Sequence, residues 1–189
     1  MQTPGPIPAG SNISFTTNGS IAFTDLAESY IALQGLATPA NISIYLNEKK
    51  DVNLKVVFNN RLLERQAEMN LRILQRIDSD LAVSSEKNPE IGQRWYPLAI
   101  SLSYERIFPT IKAYVQSIGR QKYILPCYTA LVKNGYRSTA FQWYDERKTF
   151  YHPIAASNIR KIIFSTQPKL EAYEAQMALT DDDDYLLIE

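Results

Sequence analysis

Asn88-Pro89-Glu90-Ile91-Gly92-Gln93-Arg94-Trp95-Tyr96-Pro97, then Ile107-Phe108-Pro109-Thr110-Ile111-Lys112, then Gly119-Arg120-Gln121-Lys122 make up the stretch that decides the fold. Asn88 is a helix cap, Pro89 fits the first turn, and Glu90 suits the positive end of the helix dipole. Ile91, Trp95, Leu98 and Leu102 then share one helical face. Pro97 sits inside that run, where it should kink the helix or shift its start. Ile107, Ile111, Tyr114 and Ile118 form the next stripe, with Gly119 read as its C-cap. The stretch is thus two helices back to back, ending in a turn that presents Arg120 and Lys122.

The same period continues outward. Downstream, Ile124, Cys127, Tyr128 and Leu131 share a face that Asn134-Gly135 ends, and Ser138 to Tyr151 reads as a helix with Phe141, Tyr144 and Tyr151 inward. Pro153 opens a last segment through Ile163. Upstream, Leu63, Ala67, Leu71, Leu74, Ile77 and Leu81 read as one face of a single long helix. Residues 41–46 and 52–58 alternate apolar and polar about Lys49-Lys50-Asp51, which reads as a β-hairpin or as a loop. Phe23-Thr24-Asp25-Leu26 opens a short helix capped by Thr24, which Gly35 and Pro39 stop. Helices joined by short turns pack antiparallel to their neighbours. The expected fold is mainly α: stacked antiparallel helix pairs in a short armadillo- or HEAT-like solenoid, with a small β-hairpin near the N-terminus. Its expected divisions are a flexible arm over 1–22, a short helix plus hairpin over 23–60, a helical domain over 61–165 and an acidic tail over 166–189.

Composition narrows the function. The one cysteine, Cys127, precludes an internal disulfide and a cysteine-based zinc site, and its apolar flanks mark it as a buried small hydrophobe. The one histidine, His152, cannot supply the two histidines that a zinc-peptidase helix needs. Preceding Pro153, it suits a structural place at a helix boundary. No segment has the roughly 18 apolar residues of a membrane helix, and Met1 to Gly10 lack a secretion signal, so the cytoplasm is the expected compartment. Residues 61–167 carry 16 Lys and Arg against 9 Asp and Glu, whereas residues 168–189 carry one Lys against seven acids. Those cations spread over several helices, so nucleic acid is not an expected partner. No nucleophile, base and orienter stand in a catalytic pattern, so the chain alone carries no catalytic residue and binds no metal. Asp78/Asp80 and Asp145/Glu146 read as helix-end or surface charges.

Four patterns occur in one order: Asn88-Pro89-Glu90-Ile91 with Arg94-Trp95; Ile107-Phe108-Pro109 leading to Lys112; Gly119-Arg120-Gln121-Lys122-Tyr123 with Pro126; and Tyr151-His152-Pro153 with Ala155. Over roughly residues 88–164 the chain resembles the C-terminal helical domain of leukotriene-A(4) hydrolase and aminopeptidase B-like zinc metallopeptidases. The resemblance implies an all-helical stack that closes one side of an active-site cleft. It implies zinc on a separate catalytic domain, in cis or in trans, held by a His-Glu-x-x-His helix that this sequence does not contain. It also implies that Arg120 and Lys122 bind the carboxylate of a peptide substrate. Arg supplies a fork matched to a carboxylate, and Lys a compact charge. The plainer reading makes both solvated cations near a helix C-terminus. The alternative for the whole chain is a free-standing helical scaffold for protein–protein interaction. Residues 1–60 and the tail from Ser165 have no clean counterpart in the resemblance.

Overall fold

The computed structural model describes residues 18–48 and 50–165. Among them are nine α-helices, three short 3-10 turns and no strand. The helices are α1 (Asn18–Ala32), α2 (Ser43–Asn47), α3 (Val52–Glu64), α4 (Leu71–Leu81), α5 (Pro89–Ser101), α6 (Phe108–Ser117), α7 (Gln121–Lys133), α8 (Arg137–Arg147) and α9 (Pro153–Ile163). The expected tail, 166–189, and residues 1–17 of the expected arm lie outside the described residues.

The odd-numbered helices form a row: α1 packs on α3, α3 on α5, α5 on α7 and α7 on α9. Among the even helices, α6 and α8 back the α5–α9 end of the row, while α2 and α4 lie against α1. Ile124, Cys127, Tyr128 and Leu131 of α7 are completely buried at the centre. Burying each such large apolar side chain is worth about 1.5–3 kcal/mol. Burial pushes the Cys127 thiol well above its ordinary pKa, so it stays a neutral packing group.

Caps set the starts. Asn88 Oδ1 accepts from Glu90 N at 2.9 Å, and Pro89 takes the first position of α5. His152 caps α9, its Nδ1 accepting from Ile154 N at 3.3 Å ahead of Pro153. Between α4 and α5, buried Ser84 accepts from Trp95 Nε1 at 2.8 Å and its carbonyl from Tyr96 Oη at 3.2 Å, which ties the loop to α5.

Several expectations need correction. The hairpin is absent: its two arms are α2 and α3. Asp51 accepts from Leu54 N at 3.1 Å and starts a helix, and Phe58 and Leu62, four apart, are fully buried. The short alternation over Val52–Phe58 is therefore one face of a longer helical pattern. The single helix through Leu63 and Leu81 is broken in two. Asn70 turns extended and accepts from Ile73 N at 3.0 Å, capping α4, and Ala67 in the break is exposed. Thr24 caps nothing; α1 already begins at Asn18, inside the stretch read as an arm, and Thr24 Oγ1 donates back to Ser20 O at 2.9 Å. Pro97 does not shift the start of α5, which runs through it. Phe141 is 45% exposed, and Ala140 and Trp143 point inward in its place. Gly119 is not a left-handed cap: α6 ends because Ile118 is extended (φ −114°, ψ 125°).

Candidate functional site

The row brings the amino-terminal ends of α5 and α7 side by side. Tyr114 of α6 holds them there: its hydroxyl is 3.1 Å from Pro89 O and 3.3 Å from Tyr123 O, the two carbonyls sharing one donor. Its ring meets Tyr96 edge-on at 4.8 Å and lies over the bare Cα of Gly92. Glycine is required at that place because a Cβ there would stand 2.5 Å from the Tyr114 ring.

Arg120 and Lys122, the two residues expected to bind a carboxylate, are brought together on this platform. Arg120 is the residue before α7 (φ −78°, ψ 119°), and Lys122 lies in the first turn rather than in an extended segment. Both approach the ring of Tyr123, Arg120 Cζ at 5.6 Å and Lys122 Nζ at 5.9 Å from its centroid. Arg120 is exposed and Lys122 half-buried. The plainer reading placed these cations where a helix C-terminus would favour them. They follow the C-terminus of α6, Arg120 two residues past its cap Ile118, and stand at the same time at the positive, amino-terminal end of α7, whose first turn holds no acid. Cations at that end raise an already positive potential and make it a place for an anion.

One internal carboxylate partly answers that potential. Glu90 Oε1 accepts from Tyr123 Oη at 2.9 Å and lies 3.5 Å from Lys122 Nζ. Its Oε2 accepts from Arg94 Nη1 at 3.0 Å and from Gln93 Nε2 at 3.1 Å. Burial opposes ionisation of Glu90. The hydrogen bonds from Arg94 and Tyr123 and the charges of Lys122 and Arg94 outweigh it, and its carboxyl is held below the usual carboxylate range. Among the described residues, Glu90 thus ties Arg94, Lys122 and Tyr123 into one hydrogen-bonded, charged group, with Arg120 beside it on the Tyr123 ring.

Glu90, Arg94, Tyr123 and Tyr114 were not singled out as site residues from the sequence. Glu90 and Arg94 stand at the i,i+4 spacing of a helical ion pair, which was a usable signal. The join of Tyr123 to Glu90 spans 33 residues and had none. Lys112, which closes the second pattern, is elsewhere: it pairs with Glu146 of α8 at 2.7 Å. Among the described residues no three His, Cys, Asp or Glu side chains gather as metal ligands, and no helix is long and apolar enough to cross a membrane.

Residues 51–163 match the family model described as leukotriene A4 hydrolase, C-terminal. The chain belongs to this family. The matched span begins just before α3 and ends at the last residue of α9, so it contains the whole Glu90–Arg120–Lys122 group. Curated relatives agree. The chain is 25% identical over 115 residues to leucine aminopeptidase 2 of Ajellomyces capsulatus, an alignment covering 61% of this chain and 18% of that protein. It is 30% identical over 80 residues to leucine aminopeptidase 2 of Yarrowia lipolytica (42% and 12%). It is 21% identical over 147 residues to leucine aminopeptidase 2 of Neurospora crassa (78% and 21%). The chain therefore spans about a fifth or less of the length of these relatives.

Proposed function

We propose that this chain is the helical, non-catalytic domain of a zinc aminopeptidase, that it walls one side of the active-site cleft, and that Arg120 and Lys122 bind the carboxylate of a peptide substrate. The zinc and the catalytic groups belong to a peptidase domain that accompanies it, in cis or in trans. The observation that carries the reading is the placement of two cations at the positive end of α7, at 5.6 Å and 5.9 Å from the centre of one tyrosine ring. Arg120 offers a planar fork to a carboxylate, Lys122 a second charge, and the first turn of α7 its amide dipoles. Glu90 holds Tyr123 and Lys122 in place. In this scheme the domain contributes positioning, fixing the far end of a peptide while hydrolysis proceeds on the other domain.

The test is aminopeptidase turnover by the native protein that carries this sequence, using a leucyl tripeptide with a free C-terminal carboxylate and the same peptide as its C-terminal amide. Arg120→Ala is expected to raise KM for the free acid by tenfold or more, about 1.4 kcal/mol of lost charge-assisted binding. The amide should be hydrolysed as before. Equal effects on acid and amide, or none on either, would overturn the assignment of Arg120 and Lys122.

A further inference from the structure

The α8–α9 end of the row exposes several large apolar side chains. Phe141, Phe150 and Phe164 are 45%, 45% and 64% exposed, and Ile154 is 60% exposed. All belong to α8, α9 or the residues adjoining them. The Phe141 and Phe164 rings pack edge-on at 6.0 Å, so these two form one apolar surface. Beside it a groove of about 480 Å³ runs along α9, lined in part by Tyr144, Pro153, Ala156, Arg160 and Lys161. The groove is cationic as well as apolar. Arg160 and Lys161 are exposed on it, and Arg160 lies near enough to Lys148 to oppose its charge. The acids of α8 are already engaged, Asp145 with Lys148 at 2.6 Å and Glu146 with Lys112 at 2.7 Å. Isolated exposed apolar side chains are ordinary; a joined patch rimmed by charge marks a binding surface.

The sequence holds a segment of matching chemistry. Residues 181–188 read Asp-Asp-Asp-Asp-Tyr-Leu-Leu-Ile, four acids followed by an apolar run. They lie beyond the span that matches the family, and the described chain ends on this same face. Arg137 of α8 donates to the carbonyls of Ile163 and Ser165, the latter at 3.0 Å, so the exit point beside Phe164 is fixed. Fifteen residues separate Ser165 from Asp181. Extended, they reach about 50 Å, against about 16 Å for the length of α9.

We propose that residues 181–188 dock on this face of their own chain, the aspartates against Arg160 and Lys161 and the Leu186-Leu187-Ile188 run on Phe141 and Phe164. The segment then covers the end of the row with complementary charge at the rim and apolar contact at the centre.

A nitroxide on Glu189→Cys in the full chain tests this, since the one native cysteine, Cys127, is completely buried and out of reach of the label. Paramagnetic broadening should concentrate on the amides of Ala156 to Phe164 and on Phe141, leave those of α1 sharp, and persist when labelled chain is diluted into excess unlabelled chain. It should disappear in the full chain with Arg160→Glu and Lys161→Glu, and in that with Leu186→Ser, Leu187→Ser and Ile188→Ser, at unchanged helicity. Broadening that is absent or no stronger on α9 than on α1 overturns the proposal. So does broadening lost on dilution, which assigns the face to a second copy, and so does broadening unchanged by either set of substitutions.

Discussion

Replacing Gly92 by alanine tests the platform under Arg120 and Lys122. In an exposed helix interior the change would stabilise by about 1 kcal/mol through helix propensity. Here the new methyl would stand 2.5 Å and 2.9 Å from two ring carbons of Tyr114 and 3.0 Å from the Tyr96 ring. Carbon atoms in good contact lie about 3.5–4.0 Å apart, so the Tyr114 ring must retreat by about 1 Å. It cannot do so freely, because it is packed on Tyr96 and its hydroxyl is shared between Pro89 O and Tyr123 O. Overpacking of this kind costs about 1–3 kcal/mol, and loss of the hydroxyl's hydrogen bond about 0.5–1.5 more. Against the propensity gain, a net loss of about 1–3 kcal/mol is expected, or about 3–10 °C in Tm at this chain length. Thermal and urea unfolding followed by circular dichroism would measure it. A double-mutant cycle with Tyr114→Ala isolates the clash: with the ring gone, the methyl fills space, and a coupling of at least about 1 kcal/mol in the rescuing direction is expected. Unchanged or raised stability in Gly92→Ala, or strictly additive losses in the cycle, would refute the account of how the two helix ends are held.

Gly119→Ala should behave in the opposite way. Gly119 is not left-handed and a Cβ would meet nothing within 4 Å, so stability should hold or rise by about 0.4–1 kcal/mol in the same unfolding assay. A drop of Tm would mean that the turn needs glycine after all. Glu146 should titrate at about 2, held there first by the hydrogen bond from Lys112 and then by that from Gln116. Its folded pKa is depressed, so the stabilisation from this pair is present above the ordinary 4.5 and is lost as pH falls from there through about 2. Carboxyl-carbon NMR would give the midpoint directly, and Lys112→Met should move it up toward 4.5; a midpoint that stays put assigns the depression elsewhere.

Features written in adjacent residues were the ones legible in the sequence. Asn88-Pro89-Glu90 and His152-Pro153 start helices through bonds spanning two residues, and both starts stand where the residues put them. The mainly α class and the buried stripe of Ile124, Cys127, Tyr128 and Leu131 followed from the same local period. The errors arose where two local signals competed. The alternation in Val52–Phe58 is equally a fragment of helical period, and Asp51 resolves it by capping. The stripe through Ala67 looked unbroken until Asn70 used its side chain to start a new helix. The site divides along the same line. Arg120 and Lys122 stand in one short pattern, but the carboxylate below them and the phenol that joins their helix to α5 arrive from other helices. Nothing in the spacing of a single helix encodes those contacts.

Pro97 and Pro126 lie inside parallel neighbours, α5 and α7, and border one cavity of about 340 Å³. A proline has no amide hydrogen, so the carbonyls one turn earlier, those of Gln93 and Lys122, lose their helical donors. Each helix therefore has a missing rung immediately behind the turn that carries the charged side chains. Helices bend most readily at such rungs. Mechanically, the two charged turns form a tip mounted on a pair of aligned compliant joints and cross-braced by one phenol. A load applied at the tip would be taken up at those joints, sparing the packed floor around Cys127 and Tyr128.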